Sequence, residues 1–341
     1  MVYADGLSIP MNLLRLQDNQ FDEHEKRGDM SSFRIIFMGT PDFSVPTLKA
    51  LHENQHDVLA VVTQPDRPKG RGRRLVPHPV KEVAGTLGYP VLQPHGVKEH
   101  WFIEKMIALD PDLFVVVAYG RILPGSFLSV PRLGAINIHA SLLPKYRGPA
   151  PVQWAIINGE QETGVTTMWM DEGMDTGDIL LSAKVSIGAD DTSGSLHRRL
   201  AEVGAQLLIE TLAKLKSENL LGTPQDKSGA TYAPLLKKKD GRIDWTKDAK
   251  SLDAFIRGMN PWPGAFTFLS GKRLKVLLAK DLQGSAKERP GTVLEGFPGD
   301  FNVATGRGIL ALKEVQLESA KRLPAKDFLR GCPVPPGTCL G

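Results

Sequence analysis

Hydrophobic and polar positions follow two different patterns along the chain. In the first, a short apolar run ends at a glycine and is followed by apolar residues three or four positions apart. Residues 33–38 form such a run, and Val45, Leu48 and Leu51 then fall on one face of a helix. The run predicts a buried strand, and the spacing after it predicts an amphipathic helix.

This rhythm continues to about residue 218. It predicts further strands at 58–63, 91–93, 113–118, 135–139, 164–170 and 179–185, and helices at 80–87, 101–109 and 193–218. Strands that alternate with helices are typical of a parallel sheet covered on both faces. We therefore expect an α/β fold, with a Rossmann-like parallel sheet as the first domain.

A second pattern follows a polar stretch without periodicity at 219–240. It predicts one helix at 249–259 and five short strands, at 265–269, 274–279, 291–295, 302–305 and 309–315. Short strands separated by glycine-rich turns favour a small β-barrel of the OB type. The expected domains are a disordered extension (1–32), a catalytic domain (33–218), a linker (219–240), the barrel (241–331) and a tail (332–341).

Composition excludes several classes of protein. With 41% hydrophobic and 23% charged residues, the chain can bury a sizeable core. Its longest apolar run, residues 113–119, is far shorter than a membrane span of about 20 residues. Cys332 and Cys339 are too few for a disulfide framework and have no companions for a zinc site, which favours a reducing compartment. The single Gly39 after the first strand does not make a dinucleotide fingerprint.

Charge is distributed unevenly. Residues 237–341 carry 19 Lys and Arg against 11 Asp and Glu, whereas the rest of the chain carries 23 against 27. A basic second domain suggests a polyanionic partner, although a solvated surface with surplus lysines explains the same balance. The first 30 residues lack the basic start of a signal peptide, and translation from Met30 is an alternative to translation from Met1.

The most informative set of polar residues lies between residues 137 and 178. Asn137 and His139 are two apart at the end of a predicted strand, so they share the edge where open α/β sheets build their sites. Asp175 or Asp178, in a later loop, could bring a carboxylate to the imidazole. An amide and an imidazolium can donate to an oxyanion while a carboxylate handles protons, which is equipment for acyl transfer. A strand cap and a loop turn would explain the same spacing.

No nucleophile accompanies this set. The predicted first domain has no cysteine, and Ser141 has no nucleophile elbow around it. Direct attack by an amine of the substrate therefore fits better than a covalent acyl-enzyme. We also expect that the chemistry requires no metal.

Several segments together resemble the folate-dependent formyltransferases. They are the residues Asn137 to Gly148 (NIHASLLPKYRG) and Met174 to Asp178 (MDTGD). Three more segments are similar to the branch of that family that acts on methionyl-tRNA: 38–43 (MGTPDF), the basic run at 63–74, and 260–264 (NPWPG). The resemblance extends from about residue 33 to residue 329. Arg121, at a position that is usually apolar, and Pro149 depart from the family pattern.

The resemblance implies a donor, an acceptor and a site. The donor is 10-formyltetrahydrofolate, held near six residues: Ile122, Leu123, Ser141, Leu142, Leu143 and Pro144. The α-amino group of initiator methionyl-tRNA attacks the formyl carbon directly, through a tetrahedral intermediate. Asn137 and protonated His139 stabilise the oxyanion, while Asp175 orients the imidazole and Asp178 has a structural role. The bacterial cytoplasm is the implied location, and a monomer is expected.

Basic residues are the expected tRNA contacts. Five of them lie in one glycine-containing loop, namely Arg67, Lys69, Arg71, Arg73 and Arg74, and two lie in the barrel, Lys272 and Lys275. Such a loop suits a phosphate backbone, and the resemblance implies that it enters the acceptor arm. Trp245 and Trp262 are expected in the core. The alternatives are a formyltransferase for another amine, such as an amino-sugar nucleotide, and a non-catalytic RNA-binding protein.

Overall fold

The computed structural model describes residues 32–69, 74–218, 220–297 and 299–341. The predicted extension at 1–32, apart from Ser32, lies outside the described residues, as do Arg71 and Arg73 of the predicted tRNA loop. Within the described ranges, no helix combines the length and apolar character needed to cross a membrane.

The first domain alternates strands and helices as the sequence predicts. Its strands are β1 (Arg34–Gly39), β2 (Asp57–Val62), β3 (Arg67–Lys69), β4 (Arg74–Val76), β5 (Val91–Leu92), β6 (Leu113–Val117), β7 (Gly134–His139), β8 (Glu162–Trp169) and β9 (Ile179–Ser186). Its helices are α1 (Val45–Glu53), α2 (Pro79–Thr86), α3 (His100–Ala108), α4 (Gly125–Leu128), α5 (Pro151–Ile157) and α6 (Ser193–Ser217). The short hairpin β3–β4 was not predicted, because three-residue strands carry too little periodicity to detect.

Seven of these strands form one sheet, in the order β5-β2-β1-β6-β7-β8-β9. The five strands from β5 to β7 are parallel, and β8 and β9 run antiparallel to their neighbours. From β1 the chain first builds outward to β2 and β5, then returns to add β6 and β7 on the other side. The carboxyl ends of β1 and β6 therefore form a topological switch point, where ligands bind in open α/β sheets.

The second domain consists mainly of short antiparallel strands, as the second sequence pattern predicts. It contains α7 (Ala249–Met259), β10 (Ala265–Leu269), β11 (Lys272–Leu282), β12 (Asn302–Ala304), β13 (Ile309–Leu317), β14 (Leu323–Pro324) and α8 (Ala325–Gly331). Its strands form an antiparallel sheet in the order β10-β11-β13-β12, and β14 also pairs with β13. The segment predicted as a strand at 291–295 is not a continuous strand but pairs through isolated bridges, Val293 with Val303 and Thr292 with Cys339. It lies beside β12, since Leu294 N donates to Asn302 O at 2.8 Å, and Gly291, at φ +90°, interrupts the extended conformation at its start.

Helix α5 joins the two hydrophobic cores. Val152 and Ile156 belong to the core of the first domain, whereas Trp154 and Ile157 pack against the core of the second. Ala150, which precedes the helix, is buried in that second core. Both domains therefore fix the position of α5.

The contact between α5 and α7 leaves no room for a side chain at Gly258. A Cβ there would lie 2.5 Å from Cγ1 of Ile157 and 2.9 Å from the backbone oxygen of Gln153. We expect Gly258→Ala to lower the free energy of unfolding by about 1 to 3 kcal/mol, because one element must shift. Thermal melting followed by circular dichroism measures this loss.

Gly85→Ala is the control, since a Cβ at this helical glycine meets nothing within 4 Å. It should leave the melting temperature unchanged or raise it. Equal melting temperatures for the two variants would show that the junction between α5 and α7 adapts freely.

The two tryptophans have different environments. Trp245 is buried, and its Nε1 donates to Oγ1 of Thr267 at 3.1 Å, as expected for a core residue. Trp262 is 47% exposed, so its predicted core position is wrong. The neighbouring residues supply the packing instead. Pro261 lies against Gly194, and Ser193 Oγ donates to the backbone oxygen of Asn260 at 2.7 Å.

Candidate active site

A cavity of about 570 Å³ opens at the carboxyl ends of β1, β6 and β7. Its volume suits a small-molecule ligand, and it lies at the switch point of the sheet. Apolar side chains form much of its lining, among them Phe43, Val116, Leu123, Met168 and Met170. Asn137, His139 and Asp175 line the same cavity.

Asn137 and His139 meet the same carboxylate. Asn137 Nδ2 donates to Oδ1 of Asp175 at 3.4 Å, and His139 Nδ1 lies 3.6 Å from Oδ2 of Asp175. Both residues lie on β7, two positions apart, so the pleat directs both side chains toward one face of the strand. Asp178, the rival carboxylate, is not among the residues that line the cavity.

One hydrogen bond of His139 shows which ring nitrogen carries a hydrogen. Its Nε2 lies 2.9 Å from the backbone oxygen of Tyr146. Because a carbonyl oxygen only accepts, Nε2 must carry a hydrogen. Nδ1 then faces Asp175, and a hydrogen bond between these two groups requires one additional proton on the pair. The pair therefore has the equipment to hold and to release a proton beside the cavity.

Asp175 is held by backbone as well as by side chains. The backbone N–H of Gly148 donates to Oδ2 of Asp175 at 2.8 Å. Asp175 itself has φ 55°, in the left-handed region that non-glycine residues rarely occupy. Gln225 Nε2 donates to the backbone oxygens of Asp175 and Gly177, at 2.9 Å and 2.7 Å. The carboxylate thus has a defined direction that local sequence alone would not give it.

The six predicted folate residues divide into two groups. Ile122 and Leu123 line the cavity, and Ile122 is 81% exposed. Ser141, Leu142, Leu143 and Pro144 are not among the lining residues. The turn that contains these four closes on β8: Thr166 Oγ1 donates to the backbone oxygen of Ser141 at 2.7 Å and accepts from Leu143 N at 3.2 Å. These hydrogen bonds to Thr166 hold the turn that follows His139 against β8.

Several lining residues were not predicted from the sequence. His197 reaches the cavity from α6 and contacts Phe43, with ring centroids 4.8 Å apart. Burial lowers the pKa of His197, although Asp42 acts in the opposite direction. His197 stands in no recognisable motif, because only the packing of α6 against the sheet brings it to the cavity, whereas Phe43 ends the segment 38–43 that resembles the family.

Charged residues surround part of the cavity. Asp171, Glu172 and Asp175 line it, and Thr176 Oγ1 donates to Oδ1 of Asp171 at 2.7 Å. Arg121, the departure from the family pattern, is the one Lys or Arg among the lining residues that the structure describes. Within the described part of the chain, no group of three or more His, Cys, Asp and Glu residues could hold a metal ion.

The basic hairpin lies close to this cavity. Gln64 Nε2 donates to the backbone oxygens of Tyr119 and Gly120, at 2.9 Å and 3.2 Å, and both of these residues line the cavity. Arg67 Nη2 donates to Oε1 of the same Gln64 at 3.1 Å. Gln64 therefore ties the start of β3 to the cavity wall.

The other predicted tRNA residues lie at separate places. Lys69 and Arg74 are paired in backbone register at the ends of β3 and β4. Lys272 and Lys275 are exposed on β11, in the second domain. The structure thus has one basic element beside the cavity and another basic strand on the second domain.

Comparisons with known proteins cover nearly the whole described chain. Residues 33–212 match the family described as Formyl transferase, and residues 235–333 match its C-terminal domain. A curated methionyl-tRNA formyltransferase of Citrifermentans bemidjiense is 53% identical over 92% of this chain and 98% of that protein. The methionyl-tRNA formyltransferase of Geobacter metallireducens is 52% identical over 92% of this chain and 100% of its own length.

Solved structures share the fold at low identity. A methionyl-tRNA formyltransferase from Clostridium thermocellum has a TM-score of 0.53 and 17% identity, over 83% of this chain and 98% of that one. An N-formyltransferase from Helicobacter canadensis, solved with folinic acid and dTDP-3-aminofucose, has a TM-score of 0.63 and 18% identity, over 85% of this chain and all of that one. At this identity the likeness concerns the fold alone.

Proposed function

The chain belongs to the methionyl-tRNA formyltransferases, and from this premise we propose how its residues divide the work of formyl transfer. The activity is formylation of methionyl-tRNA with a formyl-folate. We assign the donor as 10-formyltetrahydrofolate and the acceptor as the α-amino group of initiator methionyl-tRNA. The observation that carries the assignment of residues is the shared contact of Asn137 and His139 with Asp175 at the cavity edge.

The cavity suits the folate in size and in chemistry. Its volume of about 570 Å³ is typical of ligand pockets. Leu123, Met168 and Met170 offer an apolar surface to an aromatic ring system, and the exposed Ile122 adds to this apolar lining. The bound cosubstrate supplies an activated formyl group. The loop from Asp171 to Asp175 lines the same cavity, and we assign to its backbone the hydrogen bonds to the polar edge of a pterin ring.

Asn137 and His139 act on the charge that develops during attack. When the amine adds to the formyl carbon, negative charge accumulates on the formyl oxygen. Asn137 Nδ2 has a second N–H for that oxygen, and the single N–H on the protonated Nδ1 of His139 turns from Asp175 to donate to it. The ring of His139 stays anchored because Nε2–H donates to the oxygen of Tyr146.

Asp175 handles the proton that the amine must lose. Its carboxylate faces His139 Nδ1 and keeps the imidazolium in place. The proton passes from the attacking amine to this pair, directly or through water, and then to the nitrogen of the departing tetrahydrofolate. These groups suffice without a metal ion.

The basic residues bind the tRNA. The hairpin that starts at Arg67 is tied to the cavity wall through Gln64, which supports its entry into the acceptor arm. Exposed Lys272 and Lys275 contact the phosphate backbone farther along the molecule. One chain supplies every proposed residue, so we expect an active monomer. We place it in the bacterial cytoplasm, where charged tRNA is made.

A formyl-transfer assay tests this function. The purified protein is incubated with 10-formyltetrahydrofolate and, in parallel, with initiator methionyl-tRNA, elongator methionyl-tRNA or an amino-sugar nucleotide. We expect formylmethionyl-tRNA from the initiator and little product from the other two. Formylation of the amino-sugar nucleotide alone would contradict the assignment of the acceptor.

A substitution in the basic run at 63–74 separates positioning from general electrostatics. We expect Arg71→Ala to lower the turnover of initiator methionyl-tRNA even at saturating tRNA, by about 10²-fold, since a small misplacement of the amine is costly. Lys272→Ala, the control, should weaken binding at every salt concentration and make its salt dependence shallower by roughly 0.9 in logarithmic slope. Steady-state kinetics and filter binding at several salt concentrations measure both effects. If Arg71→Ala and Lys272→Ala had equal defects that depended only on salt, the basic run would contribute general electrostatic attraction and no positioning.

A further inference from the structure

The segment predicted as a linker runs across the loops of the active site. Thr223 and Ile179 exchange two backbone hydrogen bonds of 2.8 Å. Farther along, Arg147 N donates to Thr231 O at 2.8 Å, and Ala233 N donates to Arg147 O at 2.7 Å. Residues 223–233, which we name the strap, therefore join the loop after His139 to the loop that carries Asp175.

Gln225 is the side chain at the centre of the strap. Its Oε1 accepts from Nε and Nη2 of Arg147, at 3.0 Å and 2.7 Å. Its Nε2 donates to the backbone oxygens of Asp175 and Gly177. An amide has one acceptor oxygen with two lone pairs and two N–H donors, so all of its capacity is used. Because Arg147 only donates and the carbonyls only accept, the orientation of the amide is determined.

Arg147 holds the amide of Gln225 in place. It is 4% exposed, and its side-chain hydrogen bonds in the described structure go to Gln225 alone. A buried guanidinium without an acceptor is costly, so Arg147 holds the amide of Gln225 firmly. The interaction connects the loop after His139 to the strap through a side chain as well as through the backbone.

The loop of Asp175 needs such external support. Asp175 has φ 55°, and a Cβ at Gly177 would lie 1.9 Å from the backbone oxygen of Trp169. The backbone is thus unusual at Asp175 and tightly enclosed at Gly177. Gln225 hydrogen-bonds the carbonyls of both residues, which are the groups whose direction sets where the carboxylate points.

We propose that Gln225 is a positioning residue for catalysis, which holds the Asp175 carboxylate against Asn137, His139 and the N–H of Gly148. The inference rests on the proposed role of Asp175 in formyl transfer. Gln225 touches no reacting atom in this scheme and acts only through Asp175. The strap is accordingly part of the active site as well as the connection between domains.

Two substitutions of Gln225 separate positioning from folding. Gln225→Ala removes both the acceptor for Arg147 and the donors to the loop. Gln225→Glu keeps an acceptor for Arg147, so the chain should stay folded. It leaves the backbone oxygens of Asp175 and Gly177 without donors. We expect each variant to lower kcat by about 10²-fold, with the KM for methionyl-tRNA and for the folate changed by less than about twofold. Gln206→Glu, the same charge change on an exposed face of α6, should keep wild-type kcat.

A double-mutant cycle with Asp175→Asn gives the decisive reading. If Gln225 acts through Asp175, then Gln225→Glu should lower kcat by less than about threefold in the Asp175→Asn background, since the group it positions is already changed. Wild-type kcat in Gln225→Glu, or an equal loss in both backgrounds, would overturn the inference. An inactive wild-type protein would overturn the proposed function itself, whereas a defective Asp175→Asn beside a fully active Gln225→Glu would overturn the positioning role alone.

Discussion

Replacing Asn137 or His139 by alanine should lower the turnover of methionyl-tRNA formylation by about 10²- to 10³-fold, the loss typical of one oxyanion donor. Both side chains reach the cavity from the end of β7, and both contact Asp175. Their donors act on charge that exists only during the reaction. The affinity for tRNA should therefore stay close to that of the wild type, which filter binding measures beside steady-state kcat.

Two exposed residues of the same types serve as controls. His100, on the surface of α3, and Asn54, after α1, lie outside the cavity. Their alanine variants should keep wild-type turnover. Full activity in Asn137→Ala or His139→Ala would remove that residue from the proposed oxyanion site.

Asp175→Asn should lower turnover by about 10²- to 10⁴-fold, the range for loss of a group that transfers protons. The substitution keeps the size of the side chain and removes its charge. The Gly148 N–H and Asn137 Nδ2 both donate to this carboxylate, and His139 Nδ1 faces it. An amide in its place can accept at one atom only and cannot take the proton. Single-turnover kinetics at saturating substrates measures this chemical step.

Asp178→Asn is the matched control for this prediction. Asp178 lies three positions away and does not line the cavity, so its variant should keep most of the activity. If Asp178→Asn were the inactive variant and Asp175→Asn the active one, the catalytic role would belong to Asp178.

The junction between the domains bears on both predictions. Pro151, Val152 and Gln153 line the cavity, and they lie on α5, which packs into both cores. The second domain therefore helps to hold one wall of the site in addition to presenting cations such as Lys272. This arrangement gives Gly258→Ala a second expected effect, a loss of turnover together with the lower melting temperature.

Patterns of short range determined much of the fold. The apolar run at 33–38 and the spaced Val45, Leu48 and Leu51 specified β1 and α1, because burial on one or both faces leaves a periodic mark in the sequence. The same reasoning predicted α6 to within one residue of its end. The antiparallel direction of β8, the small strands β3 and β4 and the exposure of Trp262 left no such mark, since each depends on the elements that pack nearby.

The candidate site divides in the same way. The spacing of Asn137 and His139 at a strand end was visible in the sequence, and the family resemblance selected Asp175 over Asp178. Only the tertiary structure decided which groups hold them: the oxygen of Tyr146, the N–H of Gly148 and the amide of Gln225. A backbone oxygen or N–H is present whatever the residue type, so the sequence does not mark these partners. Gln225 lies 50 positions from Asp175 in an aperiodic segment. Sequence patterns record what each residue needs locally, whereas the direction of a carboxylate depends on partners that only the folded chain brings together.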